Sequence, residues 1–168
     1  MLRALVPFLL LAGHAARADE PQPWSLAFVG GGLFPQGDMG AATAPGLDVG
    51  TRVGWSSRSG IGLQLGLAFA PLRQRVATEA DSQLFAGTLG PRFTLGRDVL
   101  RVWIAGAGGL LLERASVISS AFTVNGLGGL DLHVFGNGGF TFSGEYVRSV
   151  STGAYQYLAV TGGLIFTM

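Results

Sequence analysis

The sequence predicts an all-β chain: eight antiparallel strands in up-and-down order, closed into a transmembrane β-barrel and preceded by a cleaved signal peptide. Three observations carry this expectation. Only 12% of the 168 residues are charged and 48% are hydrophobic, whereas soluble domains carry about 25% charged residues. Glycine takes 28 positions, a load that disfavours long helices because each interior glycine costs roughly 1 kcal/mol relative to alanine. The rest of the chain divides into runs whose side chains alternate with period two, as strands with two unlike faces do.

Residues 1–18 read as the signal peptide. Arg3 gives a positive start, Leu5 to Ala12 an apolar run, and Ala16-Arg17-Ala18 a cleavage site of the A-x-A kind. The run is too short for a helical span, which needs about 20 residues. Residues 19–168 form one barrel domain with no linker or low-complexity tract. Losing Arg3 and Arg17 takes the formal charge from +1 to −1, a balance that gives no basis for nucleic-acid binding. Every basic residue is arginine, a bias for which base composition of the genome is the simple explanation, and the absence of cysteine removes disulfides and thiolate chemistry.

The eight runs fall near residues 24–34, 46–56, 60–70, 83–95, 99–112, 121–134, 139–148 and 155–166. Tight, turn-rich connections join the second and third runs (Ser56 to Gly60), the fourth and fifth (Gly96-Arg97-Asp98) and the sixth and seventh (Gly136-Asn137-Gly138). The others are longer: Pro35 to Pro45, Pro71 to Ser82, Glu113 to Ser120, and Ser149 to Ala154. Short turns at one end and longer loops at the other are the pattern of bacterial outer-membrane barrels, whose turns are periplasmic; an even strand number puts both termini there too. A bulge is expected at Gly90-Pro91, because proline removes a ladder donor.

Parity then separates two faces. In "GGFTFSGEYVR", residues 138–148, Phe140, Phe142 and Tyr146 share one parity and Thr141, Ser143 and Glu145 the other. The third run repeats this, with Ile61, Leu63, Leu65, Leu67 and Phe69 set against Gln64 and Gly66. The polar parity elsewhere holds Asp48, Arg52, Thr88, Arg92, Arg101, Asn125, Asp131, His133 and Tyr157, with many small residues between them. An eight-stranded interior is only just wide enough for side chains, so the large apolar face would overfill it and the small, polar face fits. The apolar face therefore meets lipid. A lipid-crossing strand needs only about 9–11 residues, and closure leaves no edge unsatisfied in hydrocarbon.

With this architecture the chain resembles the small eight-stranded outer-membrane barrels, the family of the OmpA membrane domain and OmpX, over residues 19–168. The last run, "YLAVTGGLIFTM", is the nearest thing to a motif: Tyr157, Gly162 and Phe166 match the family's C-terminal assembly signal, and Met168 stands where the family places a final aromatic. The resemblance implies a bacterial outer-membrane location and recognition by the barrel-assembly machinery during biogenesis. It also implies an interior plugged by ion pairs. Outer-membrane lipid and lipopolysaccharide are the expected surroundings, and the expected state is a monomer without a cofactor.

Candidate sites follow from the inward parity. Arg92, Arg101 and Asp131 fall on three successive strands at about the same height, Glu145 sits one step further up, and Arg52 can reach in from across. Isolated charges in such an interior are expensive, so these should pair; the expectation is a structural plug, and a gated ion path is the alternative. His133, Ser143 and Asp131 have the residue types of a hydrolytic triad. Some lipid-modifying enzymes are eight-stranded barrels, but His133 points inward beside the turn at Gly136, away from outer-leaflet lipid. A single histidine in the barrel and no cysteine make a metal site unexpected. The glycine clusters at 30–32, 106–109 and 126–129 lack the lysine of a phosphate loop and should serve close approach and bending. Trp24, Trp55 and Tyr146 lie near strand ends and suit the interfacial aromatic girdles. The resulting expectation is a non-enzymatic integral outer-membrane protein with a structural or surface-interaction role. Its outer loops, including the charged "PLRQRVATEADS" at 71–82, would touch lipopolysaccharide or a partner. A narrow ion or small-solute channel and a lipid-modifying enzyme are the alternatives.

Overall fold

The computed structural model describes residues 23–75, 81–96, 99–115, 117–150 and 155–168. The signal peptide assigned to residues 1–18 and the domain boundary at Asp19 lie outside these residues. The eight runs form eight strands: β1 Trp24–Pro35, β2 Gly46–Ser56, β3 Ile61–Leu72, β4 Ser82–Leu95, β5 Leu100–Arg114, β6 Ile118–Phe135, β7 Gly138–Ser149 and β8 Gln156–Thr167. Each pairs antiparallel with the next, and β1 pairs with β8, which closes the barrel. One circuit of facing positions, Trp24, Trp55, Leu63, Pro91, Gly106, Gly126, Tyr146, Leu158, Phe34, returns to β1 ten residues beyond its start. That stagger corresponds to a strand tilt of roughly 40° for standard strand spacings.

The two faces are those of the alternation. Leu47, Leu67, Leu89 and Ile104 stand more than half exposed on the outside, and Phe140 and Phe142 are 44% and 51% exposed, while the intervening Thr141 is 1% exposed. Trp24 and Trp55 face each other on the outer surface at the end that carries the tight turns, and Tyr146 stands outside towards the other end. Positive φ angles at Gly60, Gly96 and Gly136 mark the three tight turns, a backbone region that glycine enters without steric cost.

Three features depart from expectation. No bulge forms at Gly90-Pro91: pairing with β3 runs through both residues, and pairing with β5 keeps one register from Leu89↔Gly108 to Arg92↔Ala105. Proline lacks the donor, and the ladder tolerates that loss without inserting a residue; the register shift lies instead between His133 and Phe135, where β6 meets β7. The connection expected from Glu113 to Ser120 is mostly strand, because Glu113 pairs with Ser119 and Arg114 with Ile118. β5 and β6 therefore reach 15 and 18 residues and project as a tall hairpin. The first long connection carries a short helix, α1 (Gly37–Ala42), whose Met39 is buried.

Candidate functional site

Among the described residues polar side chains gather in the lumen, which is built in storeys. Nearest the turns, Asp131 of β6 is 1% exposed and surrounded by donors. Arg92 Nη2 of β4 donates to its Oδ2 at 2.7 Å, and Trp103 Nε1 (3.0 Å) and Thr141 Oγ1 (2.7 Å) donate to its Oδ1. The remaining donors of Arg92 reach Gln64 Oε1 and Thr94 Oγ1, each at 3.3 Å. The guanidinium also lies 4.5 Å from the centre of the Trp103 ring, within cation–π range. Trp103 lies so close to β6 that a Cβ at Gly129 would come within 2.6 Å of its Cζ2. The glycine there is the space the indole occupies.

One storey higher, Arg52 of β2 donates to Ser143 Oγ at 2.5 Å and Thr161 Oγ1 at 3.2 Å, and lies 3.9 Å from Glu145 Oε2. Asn125 Nδ2 donates to Glu145 Oε1 at 2.7 Å. Arg52 is also 5.8 Å from the Trp103 ring centre, so this indole links the two storeys. Above them lies a cavity of about 20 Å³, lined by Asp48, Arg52, Thr88, Glu145 and Tyr157 among others. That holds one or two waters.

The loop end is closed by different chemistry. Leu33, Leu72, Leu84, Leu111 and Val147 point inward, each at most 2% exposed, and pack with Tyr157, Ala159 and Met39 of α1. Outside this cap Tyr155 Oη donates to Glu113 Oε2 at 2.6 Å and lies 2.7 Å from Ser119 Oγ, tying the last connection to the tall hairpin.

Of the charges expected to meet, Arg52, Arg92, Asp131 and Glu145 do so in two pairs. Arg101 stands apart. It is the register partner of Asp131, yet among the described residues no ion pair joins them and Asp131 is taken by Arg92. Arg101 sits half-buried at the turn end, near His133. Neither ring nitrogen of His133 has a hydrogen-bond partner among the described residues, and Ser143 bonds to Arg52 and Thr161, so the three types imagined as a triad are not assembled. No cluster of metal-binding side chains occurs among the described residues. Tyr157 has its side chain in the lumen, while Phe166, two residues from the chain's last, pairs with Gly138 and Leu26. Gly162 faces Gly30 and Phe142. The loop at 71–82 is described only in part, residues 76–80 lying outside.

Two functional features escaped the alternation. Trp103 shares the inward parity of Arg101 and Ala105, but only the fold shows that Gly129 makes room for its ring in the narrow lumen. The apolar cap was hidden because its leucines belong to the inward parity only in the outer third of each strand.

No protein-family model and no curated sequence matches the chain. Among solved structures it is similar to Neisserial surface protein A, with a TM-score of 0.66 and 9% identity over 88% of this chain and 98% of that one. The outer membrane protein OprG from Pseudomonas aeruginosa gives 0.62 and 11% over 88% and 98%. The N-terminal β-barrel domain of Pseudomonas aeruginosa OprF gives 0.60 and 13% over 89% and 100%. The shared property is the fold: the chain has the closed eight-stranded architecture of small outer-membrane barrels.

Proposed function

We propose that the protein is a non-enzymatic integral protein of the bacterial outer membrane with a plugged interior and a structural or surface-interaction role. The observation that carries this reading is the double seal of the lumen. The Asp131–Arg92–Trp103 network fills its lower part and the apolar cluster around Leu111 fills its mouth. An exposed apolar belt on closed strands supports membrane insertion. The gathering of Trp24, Met168 and the tight turns at one end supports a periplasmic assignment for that end. The opposite end would then meet the outside. It presents the tall β5–β6 hairpin, with Val117 and Ile118 74% and 71% exposed at its tip, and this hairpin is the natural element for contact with lipopolysaccharide or another surface.

Conductance of the refolded protein in planar bilayers tests the reading. A sealed lumen gives no steady current; large, steady single-channel steps from pure protein would replace it with the channel reading. Altered acyl chains in the lipids of cells making the protein would favour the enzyme reading instead.

A further inference from the structure

Arg114 of β5 and Arg148 of β7 interrupt the apolar outer face near the loop end. Both are exposed and share the parity of the belt, Arg114 following Leu110 and Leu112, Arg148 following Phe142 and Tyr146. Neither makes an ion pair or a side-chain hydrogen bond with a described residue. Glu113, the carboxylate next to Arg114, lies on the other parity and accepts from Tyr155. Register fixes the heights of the two arginines. At a tilt of roughly 40°, each residue adds about 2.5 Å along the barrel axis and each neighbouring strand about 3 Å. Counted from Trp24 through Gly106 and Tyr146, Arg148 stands roughly 23 Å up and Arg114 roughly 32 Å. A lipid-facing belt is about 25 Å tall, so one arginine sits at its upper edge and the other at headgroup depth. Between them β6 presents Phe122, 66% exposed, and Val124, the register partner of Arg148. Below these the surface is recessed. Gly106 and Gly126 face each other, Gly144 follows on β7, and a Cβ at any of the three would meet nothing within 4 Å.

We infer that this outer wall of β5–β7 binds one phosphorylated lipid of the outer leaflet. Arg114 and Arg148 take its phosphate from two sides, and its acyl chain runs over Phe122 and Val124 into the glycine recess. The two arginines stand about 7 Å apart around the barrel and about 9 Å apart in height. Their Cα atoms are thus about 11 Å apart, a gap that two extended arginine side chains close on one ligand. The guanidinium fork matches phosphate oxygens bidentately. Position selects a lipid over free phosphate. An exposed pair of charges holds a small anion weakly in water, whereas the apolar wall below adds contact for a ligand that carries a hydrocarbon chain. At the same height β1, β2 and β4 offer Phe34, Leu47 and Phe85 instead, which confines the site to β5–β7. The inference rests on the membrane reading above and names a partner for its loop end.

The test uses the refolded full barrel in phosphatidylcholine vesicles doped with rising mole fractions of diphosphoryl lipid A, and reads the urea-unfolding midpoint. A ligand that binds only the folded state stabilises it by mass action, so the midpoint should rise with lipid A and saturate. Dephosphorylated lipid A, and inorganic phosphate in the buffer, should leave it unmoved. Arg114→Gln and Arg148→Gln should each move half-saturation to several-fold higher lipid A. Gly126→Leu, which fills the recess without touching a charge, should do the same. Arg73→Gln, at an exposed loop-end arginine away from Phe122, should change nothing. An equal loss from Arg73→Gln would mean diffuse charge and overturn the site. So would a response unaltered in both other arginine variants, or one reproduced by inorganic phosphate or by the dephosphorylated lipid. A barrel that inserts and ignores lipid A sinks this inference alone; a chain that fails to insert into the vesicles sinks the membrane reading with it.

Discussion

The lower and upper parts of the lumen occupy the same barrel and are sealed by opposite means. Below, Asp131, Arg92, Trp103, Thr141 and Gln64 fill the space with directional bonds that engage both oxygens of the Asp131 carboxylate. Above, Leu33, Leu72, Leu84, Leu111 and Val147 fill it by shape alone. The difference lies in what an error costs. Removing one member of the lower group strands a charge in a place that water reaches poorly; removing one member of the upper group leaves a hole. A network specifies which strands must be neighbours, whereas an apolar cluster accepts any filler of the right volume.

Asp131→Ala is expected to have the largest effect, because it leaves Arg92 buried without its counter-ion. The loss should be about 3–5 kcal/mol, read from urea unfolding in lipid vesicles. Adding Arg92→Ala should recover part of it, whereas Arg101→Ala should add to it independently, within about 0.3–0.5 kcal/mol. Coupling to Arg101 instead of Arg92 would break the assignment of the pair. Leu111→Ala, at 0% exposure in the upper part, should cost about 3 kcal/mol through lost transfer energy and an unfilled cavity. Leu111→Met should restore most of that, and a failure to do so would mean the cap is as exacting as the network.

Trp103→Phe sharpens the comparison within the lower part. It removes one donor to Asp131 while Arg92 and Thr141 remain, so the expected loss is about 1.5–3 kcal/mol, the range for a hydrogen bond to a charged group. The smallest effect belongs to Tyr155, outside the strands. Partial burial, and then its bond to Glu113, raises its hydroxyl pKa above the ordinary 10.0. The folded state thus holds this proton more tightly than the unfolded one, and the contribution is complete below pH 10 and lost as pH rises beyond it. A small decline of the unfolding midpoint above pH 10 should therefore be shallower in Tyr155→Phe.

Much of this was legible in the sequence because alternation is a local property. Phe140, Thr141 and Phe142 declare their faces whatever lies across the barrel. Which inward charges meet is not local. Counting residues from the turns put Arg101 level with Asp131, and the two do face each other in the ladder. Tilted strands, however, raise each neighbour relative to the last, and the long side chain of Arg92 crosses β5 over Trp103 to take the carboxylate. Arg101 is left nearer the open turn end, where water can serve it. The cap was illegible for a related reason: Leu84 and Leu111 look like further inward positions of mixed strands until the stagger brings them to one height with Leu33 and Val147.

Closure of the barrel has a consequence for the order of events in its assembly. Seven of the eight seams join consecutive strands and can zip as hairpins, but the eighth joins Ser25 to Thr167. Its loop entropy spans nearly the whole barrel sequence and must be overcome before any contact across that seam repays it. Until then β1 and β8 each carry a bare edge, intolerable in hydrocarbon. The seam therefore makes folding all-or-none at its last step, with a half-zipped sheet as the species most exposed to aggregation.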